Sequence, residues 1–400
     1  MWFLIILLIT EILTLTLIRQ HFYERSWMRY YFVIILNSIL SIWLWILWFE
    51  TVSYNGIFDE PDHIWMLMGM AGMISGVVIP RVIVVSFHFT GVVLRRKTGG
   101  HSRILTNIGM IISMIVLLVV LSGSLFGKFN VKTDRITVRP EVSDPELNGL
   151  KIVLISDLHL SSFYHHKEFI TKVMRRINEE NPDLLINTGD FVTFGWREFG
   201  KFDTILRIAK GKYGNYAVMG NHDFGTYHPY YTEADKNNNV LNMNKMITSS
   251  GYKVLNDESV VVRIGKTRIV LAGVTTKGSF AKIIHGDLKK ALSGTDTSDF
   301  KILLAHDPNQ WRKEVTGNTD IDLTLSGHTH GMQIGILSKR IKWSPARYFY
   351  PEWNGLYKAG EQYLIVNRGL GVLGMPFRIW MPPEITVITL RTDQGALQKL

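Results

Sequence analysis

The chain has 400 residues, room for two domains or one domain with appendages, and 46% of them are hydrophobic. A mean hydropathy of +0.11 is high for a soluble protein and low for one wholly inside a membrane, so the chain divides into a membrane part and a soluble part. The absence of cysteine excludes a disulfide framework, Cys-ligated zinc and a thiol nucleophile, and the net charge of +10 fits anionic substrates or an anionic membrane surface.

Met1 to Ile18 is almost wholly apolar and predicts a spanning helix over about 2–18. No positive region precedes it, and Arg19 and Arg25 follow it, so it reads as a retained span rather than a signal peptide. Further spans are expected at 30–49, with Trp43, Trp45 and Trp48 as interface anchors, at 63–94 and at 104–126. The third is interrupted at Pro80-Arg81, but each half would fall short of the roughly 20 residues a span needs, so one kinked helix is expected. Arg19, Arg25 and Arg29 lie in the first loop, and Arg95, Arg96, Lys97 and Arg103 in the third. The second loop carries Glu50, Asp59, Glu60 and Asp62 and no Lys or Arg. Basic loops stay in the cytoplasm. Residues 1–127 are therefore expected to form a multi-pass anchor in the cytoplasmic (inner) membrane, with everything after Lys128 on the extracytoplasmic side. Glu11, Asn37 and Arg81 lie in or beside the apolar runs, where pairing with a neighbouring helix or snorkelling is the expected role.

Residues 128–149, polar and carrying Pro140 and Pro145, read as a linker, with an edge strand at Arg135 to Val138. From Leu150 the pattern becomes strand, loop, helix. Apolar runs at Lys151–Ile155, Leu184–Asn187, Tyr216–Met219, Phe300–Ala305 and Asp322–Leu325 predict strands of an α/β domain over 150–400. Helical spacing covers Lys167–Glu180, Phe202–Ala209 and about Tyr230–Ser249, and strands near the end cover Gln362–Asn367 and Ile385–Leu390.

Each of five strands ends in a polar cluster: Asp157-Leu158-His159, Gly189-Asp190, Gly220-Asn221-His222-Asp223, Ala305-His306-Asp307 and Gly327-His328-Thr329-His330. Active sites of α/β folds gather at the carboxyl ends of strands, so residues distant in sequence can meet there. Asp157, His159, Asp190, Asn221, His306, His328 and His330 offer oxygen and imidazole donors and no sulfur. That set suits two divalent ions with a shared carboxylate, and Mn, Fe or Zn rather than Ca or Mg alone. A pair of such ions suits in-line displacement at phosphorus.

In their order and spacing these five motifs resemble the calcineurin-like metallophosphoesterase superfamily, over about Leu150 to Leu390. His330-Gly331-Met332-Gln333, Asn367-Arg368-Gly369-Leu370-Gly371 and Pro382-Pro383-Glu384-Ile385 resemble its bacterial membrane-associated branch. The resemblance implies a four-layer α-β-β-α sandwich behind the transmembrane helices. It implies that Asp157, His159 and His330 hold one metal, that Asn221, His306 and His328 hold the other, and that Asp190 bridges them. His222 would assist the leaving group, with Asp223 orienting it by a hydrogen bond, and Arg368 would meet phosphate or support the ligands.

The expected activity is hydrolysis of phosphoester or pyrophosphate bonds. Phe163 and Tyr164, and Trp343, Tyr348, Phe349, Tyr350 and Trp353 with Arg340, Lys342 and Arg347, suit a phospholipid or lipid-linked substrate or an ordinary apolar cover over the domain. His165 and His166 read as a solvated loop pair. The rival of another class is a catalytically inactive metal-binding sensor or scaffold, which would be expected to lack a ligand or His222. A transporter would need a polar path through the spans. No dense Lys/Arg tract or nucleic-acid motif is present, so no nucleic acid is expected as a partner.

Overall fold

The computed structural model describes residues 2–98, 102–141, 144–279, 282–297, 299–338 and 340–392. Met1 and the last eight residues of the expected 150–400 domain lie outside that set, as does the side chain of Lys97. The chain forms two compact units: residues 1–56, 65–126 and 374–379 make the first, and residues 57–64, 127–373 and 380–400 the second.

The first unit is helical: α1 (Trp2–Phe22), α2 (Trp27–Val52), α3 (Pro61–Met73), α4 (Ile79–Thr98) and α5 (Ser102–Leu125). Four helical stretches are long and apolar enough to cross a membrane, with α3 and α4 counted as one 36-residue stretch. The interruption expected at Pro80-Arg81 takes the form of a π-helical turn over Ile74–Val78. A wider turn ahead of Pro80 accommodates a residue that has no N–H to give. Ser113 Oγ donates to the Pro80 carbonyl at 2.7 Å. Glu11, Asn37, Ser41 and Arg81 meet between helices: Arg81 donates to Glu11 Oε2 at 3.1 Å, to Ser41 Oγ at 2.7 Å and to the Asn37 carbonyl at 3.1 Å. A charge in an apolar bundle needs such partners, and these tie α1, α2 and α4 together.

The second unit alternates strands and helices. Its elements are β1 (Lys132–Val138), β2 (Lys151–Ile155), α6 (Lys167–Glu179), β3 (Leu184–Asn187), α7 (Phe202–Leu206), β4 (Asn215–Ala217), α8 (Glu233–Ser249), β5 (Tyr252–Val254), β6 (Glu258–Ile264), β7 (Thr267–Val274), β8 (Thr276–Ser279), β9 (Lys282–His285), α9 (Leu288–Ala291), β10 (Phe300–Ala305), β11 (Leu323–Ser326), β12 (Ile336–Leu337), β13 (Lys342–Trp343), β14 (Gly355–Ala359), β15 (Gln362–Val366) and β16 (Glu384–Leu390). One six-stranded sheet has the order β1-β16-β2-β3-β4-β5 and the other β14-β15-β11-β10-β7-β6. Within residues 128–149, the edge strand expected at Arg135 to Val138 is present as β1 and is longer, running parallel to β16 from Lys132 to Val138.

The central strands are apolar on both faces, and that pattern builds the layers. Ile152, Leu154, Leu184 and Ile186 of one sheet pack with Leu271, Ile302, Leu304 and Leu325 of the other in a buried seam. The alternate residues Val153, Ile155 and Leu185 face Ile170, Val173 and Ile177 of α6, while Leu303 and Ala305 pack with Leu288, Trp311 and Val315. Helix, sheet, sheet, helix is the resulting order. Strands β2 to β5 are mutually parallel, as are β7, β10, β11 and β15, so each sheet presents a row of carboxyl ends.

Candidate metal centre

The five motif loops leave the carboxyl ends of β2, β3, β4, β10 and β11. They interlock through backbone bonds: Asp157 N–H to Gly189 O at 2.9 Å, His159 N–H to Asp190 O at 3.1 Å, and Gly327 N–H to His306 O at 3.0 Å. Asp157, His159, Asp190, His328 and His330 all have positive φ, between 40° and 72°. That conformation costs a non-glycine residue on the order of 1–3 kcal/mol and persists only where the surroundings impose it. Five such residues, all candidate ligands, mark a backbone bent to aim side chains inward. Glycines make the approach possible. A Cβ on Gly189 would strike Gly220, and one on Gly220 would strike the Asp190 carboxylate.

Two groups of donors result. Asp157, His159 and His330 offer atoms all within 4.8 Å of one another, and so do Asp190, His306 and His328. His159 Nε2 and His330 Nε2 are 3.1 Å apart, as are His306 Nε2 and His328 Nδ1. Asp190 faces both groups, its Oδ2 lying 3.0 Å from His306 Nε2 and 3.9 Å from His159 Nε2. Asn221 donates through Nδ2 to Tyr227 Oη at 2.8 Å, while its buried Oδ1 has no hydrogen-bond partner. A buried amide oxygen without a donor is costly, and a cation beside it removes that cost. Close-packed imidazoles, two carboxylates and an orphaned carbonyl oxygen together fit divalent ions.

The ring nitrogens away from the cluster are tied down, which fixes which atom can ligate. His306 Nδ1 bonds Thr188 O at 2.8 Å and His159 Nδ1 bonds Thr193 Oγ1 at 3.1 Å, so each offers Nε2. His328 is reversed: its Nε2 meets Tyr350 Oη at 2.8 Å and Nδ1 points to His306. His222 Nδ1 bonds Thr193 O at 2.7 Å, and its ring stacks on Tyr227 with centroids 4.2 Å apart.

Burial and charge set the protonation states. Burial disfavours the Asp157 carboxylate, but His330 and His306 outweigh it and hold Asp157 below the usual carboxylate range; burial and then His306 and His222 act likewise on Asp190. Burial, with His306, lowers the His328 pKa to about 4, and burial, with His330, lowers that of His159 well below normal. His306 is the exception. Burial pulls it down, but Asp190 and Asp157 lift it to about 10, because the two carboxylates beside it favour a cation at this point. Ionised carboxylates and neutral imidazoles are the ligating forms.

One expected role is corrected. Asp223 does not hydrogen-bond His222. Its buried carboxylate accepts the backbone N–H groups of Asp190, Phe191, Val192 and Gly220, at 2.8 to 3.2 Å, and so clamps the β3 loop to the β4 loop. Arg368 is buried with Glu384 at 3.0 Å, Asp134 at 2.9 Å and Asn354 as partners, which fits the supporting one of its two expected roles. In the aromatic set, Phe163 and Trp353 are buried core residues, whereas Tyr348 and Phe349 are exposed. His165 is half exposed and lies 3.4 Å from Asp62.

Sequence reasoning missed Thr193, Tyr227 and Glu198, and it placed Tyr350 only among rim aromatics. The Glu198 carboxylate accepts from the N–H groups of Thr193, Phe194 and Gly195 and from Ser161 Oγ, and so shapes the loop whose Thr193 carbonyl holds His222. A buried glutamate in a short Gly-Trp-Arg-Glu stretch is a weak signal, readable only once the loop is seen.

Comparison with known proteins places these motifs. The model of the calcineurin-like phosphoesterase family matches residues 150–332. An uncharacterized metallophosphoesterase of Bacillus subtilis is 29% identical over 266 residues, which cover 66% of this chain and 86% of that one. A transmembrane protein with metallophosphoesterase domain from Danio rerio is 34% identical over 61% of this chain, and the match spans only 54% of that protein's length. UDP-2,3-diacylglucosamine pyrophosphatase LpxG of Chlamydia muridarum is 27% identical over 64% of this chain and 88% of its own.

Proposed function

Because residues 150–332 match the model of the calcineurin-like phosphoesterase family, we propose that the chain hydrolyses a phosphoester or pyrophosphate bond at a two-metal centre and that its substrate is lipid-linked. The observation that carries the reading is the pair of ligand groups, Asp157/His159/His330 and Asp190/His306/His328, with Asp190 facing both. Two divalent ions of the Mn, Fe or Zn kind would supply Lewis acidity, activating water and neutralising charge on the phosphoryl oxygens. Asn221 would complete the second group through Oδ1. The chain itself does the rest. Asp157, fixed by the His328 backbone N–H at 3.0 Å, keeps the two histidines of the last motif in register with the first motif. His222, held at Nδ1 by Thr193, keeps Nε2 for the leaving-group oxygen. Proton donation from it needs the imidazolium, which burial opposes and Asp190 favours.

The lipid-linked part rests on the exposed Ile336, Ile341, Tyr348 and Phe349 beside the exposed Arg340, Lys342 and Arg347, and on the pyrophosphatase relative, whose named substrate carries acyl chains. Apolar side chains flanked by cations suit an acylated phosphate. The test is hydrolysis by the full-length protein in detergent with Mn²⁺, comparing a phosphomonoester, a phosphodiester and a lipid pyrophosphate, with metal counted by elemental analysis. Two ions per chain and preference for the lipid pyrophosphate are expected. One ion at full activity would sink the two-metal reading, and preference for a water-soluble ester would sink the lipid one.

A further inference from the structure

The loop between α2 and α3 does more than join two membrane helices. Residues 57–64, the end of this loop and the first turn of α3, belong to the catalytic unit rather than to the helical one. Asp59 is fully buried there. Its carboxylate accepts from Arg197 Nη1 at 3.0 Å and from Tyr231 Oη at 2.9 Å, and lies 3.7 Å from His228 Nε2. The adjacent Phe58 ring packs edge-on against Phe194, His228 and Tyr230, with centroids 5.0 to 5.6 Å apart.

These contacts fall on two loops, and both hold His222. Phe194 and Arg197 belong to the loop whose Thr193 carbonyl receives the His222 Nδ1–H. Glu198 in the same loop fixes the backbone from Thr193 to Gly195. His228, Tyr230 and Tyr231 follow directly on the segment whose Tyr227 stacks on the His222 ring. Asp59 and Phe58 therefore stand between the two supports of one imidazole. A buried carboxylate shared by an arginine and a tyrosine from different loops locks their spacing, because moving either loop would leave a buried group unpaired.

We infer that Asp59, carried by the loop between the second and third spanning stretches, is a positioning residue for His222, so that the catalytic site is complete only when this loop is docked. The inference rests on the reading of His222 as the group that assists the leaving oxygen. It makes a segment of the membrane part a working piece of the phosphoesterase.

The test uses the full-length protein in detergent with Mn²⁺ and aryl phosphodiesters whose leaving phenols range from p-nitrophenol to phenol. Asp59→Asn should lower kcat by roughly tenfold to a hundredfold, the scale expected when a catalytic group is displaced by about an ångström. The loss should be largest for phenol, the poorer leaving group, with KM and metal content unchanged. Combined with His222→Ala, Asp59→Asn should cost nothing further, because the group it positions is already gone. Gly195→Ala asks the same question with Asp59 in place. Gly195 is extended, at φ −169°, so alanine brings no backbone strain, yet its Cβ would collide with the Asp59 carboxylate and come within 2.7 Å of Tyr231 Oη. It should reproduce the leaving-group signature. Equal losses from Asp59→Asn with and without His222, or loss of metal, would overturn the inference in favour of a purely structural loop. An unchanged kcat in His222→Ala alone would instead remove the reading of His222, and the inference with it.

Discussion

Within the centre, residues of similar type do different work, and substitutions separate them. Asp190 faces both donor groups, 3.0 Å from His306 Nε2 and 3.9 Å from His159 Nε2. Asp190→Asn is expected to abolish turnover and to loosen both ions, and elemental analysis showing two ions bound at full activity would remove Asp190 from the centre. His222 has no assigned metal bond. His222→Ala should lower kcat by roughly 10²–10⁴, the usual scale of general acid–base help, at wild-type metal content; loss of metal would mean that it ligates. The candidate ligands were legible in the sequence because each sits in a short motif at a strand end, where the spacing is local. Their supports were not. Thr193, Tyr350 and Glu198 act on histidines or loops reached only through the fold, and no spacing announces that. The same limit explains the error over Asp223. Adjacency suggested that it orients His222, but the turn at β4 directs its carboxylate into four backbone N–H groups instead.

Among the elements, the strands were readable and the loops were not. Continuous apolar runs marked β2, β3, β10 and β11, and the edge strand expected at Arg135 to Val138 is β1, which starts three residues earlier, at Lys132, where the polar face of an edge strand looks like linker. A partly buried charge cluster joining β9 to the loop after β10 should register in stability. His285 on β9 sits between Asp307 and Glu314, each 3.1 Å away. Burial lowers its pKa, but Asp307 and Glu314 more than reverse this, so the folded value lies above the ordinary 6.5. A histidine raised on folding contributes stability that is fully present below its unfolded pKa and is lost as pH rises through the folded value. The wild type should therefore lose thermal stability above about pH 6.5 relative to His285→Gln, whose Tm should vary less across that window. Parallel Tm profiles for the two proteins would show that the triad contributes nothing. The link matters to the centre because Asp307 follows His306, so β9 helps to fix the loop that presents a ligand.

For the whole molecule, the division read from hydropathy differs from the one the contacts define. Hydropathy cuts the chain near residue 127, but residues 57–64 count with the catalytic unit and 374–379 with the helices. In the helical unit Arg378 N–H donates to Gly123 O at 3.3 Å, and a Cβ on Gly123 would come within 3.1 Å of Phe377. Such exchanged segments have no local signature: 57–64 looks like a short acidic turn and 374–379 like a Gly-Met-Pro loop. The exchange constrains topology, since a loop counted with the catalytic unit must lie on that unit's side of the membrane. With the basic loops around Arg25 and Arg95 on the opposite side, the preference of such loops for the cytoplasm leads us to propose an extracytoplasmic catalytic unit. The chain has no cysteine, so each introduced one is a unique label. Arg25, Asn55 and Glu233 are exposed. In intact cells a membrane-impermeant maleimide should label Asn55→Cys and Glu233→Cys and should reach Arg25→Cys only after permeabilisation. The reverse pattern would move the chemistry to the cytoplasm and turn the search towards nucleotide-linked phosphates. Labelling that separates Asn55 from Glu233 would contradict the docking of residues 57–64, and with it the means by which the membrane part reaches His222.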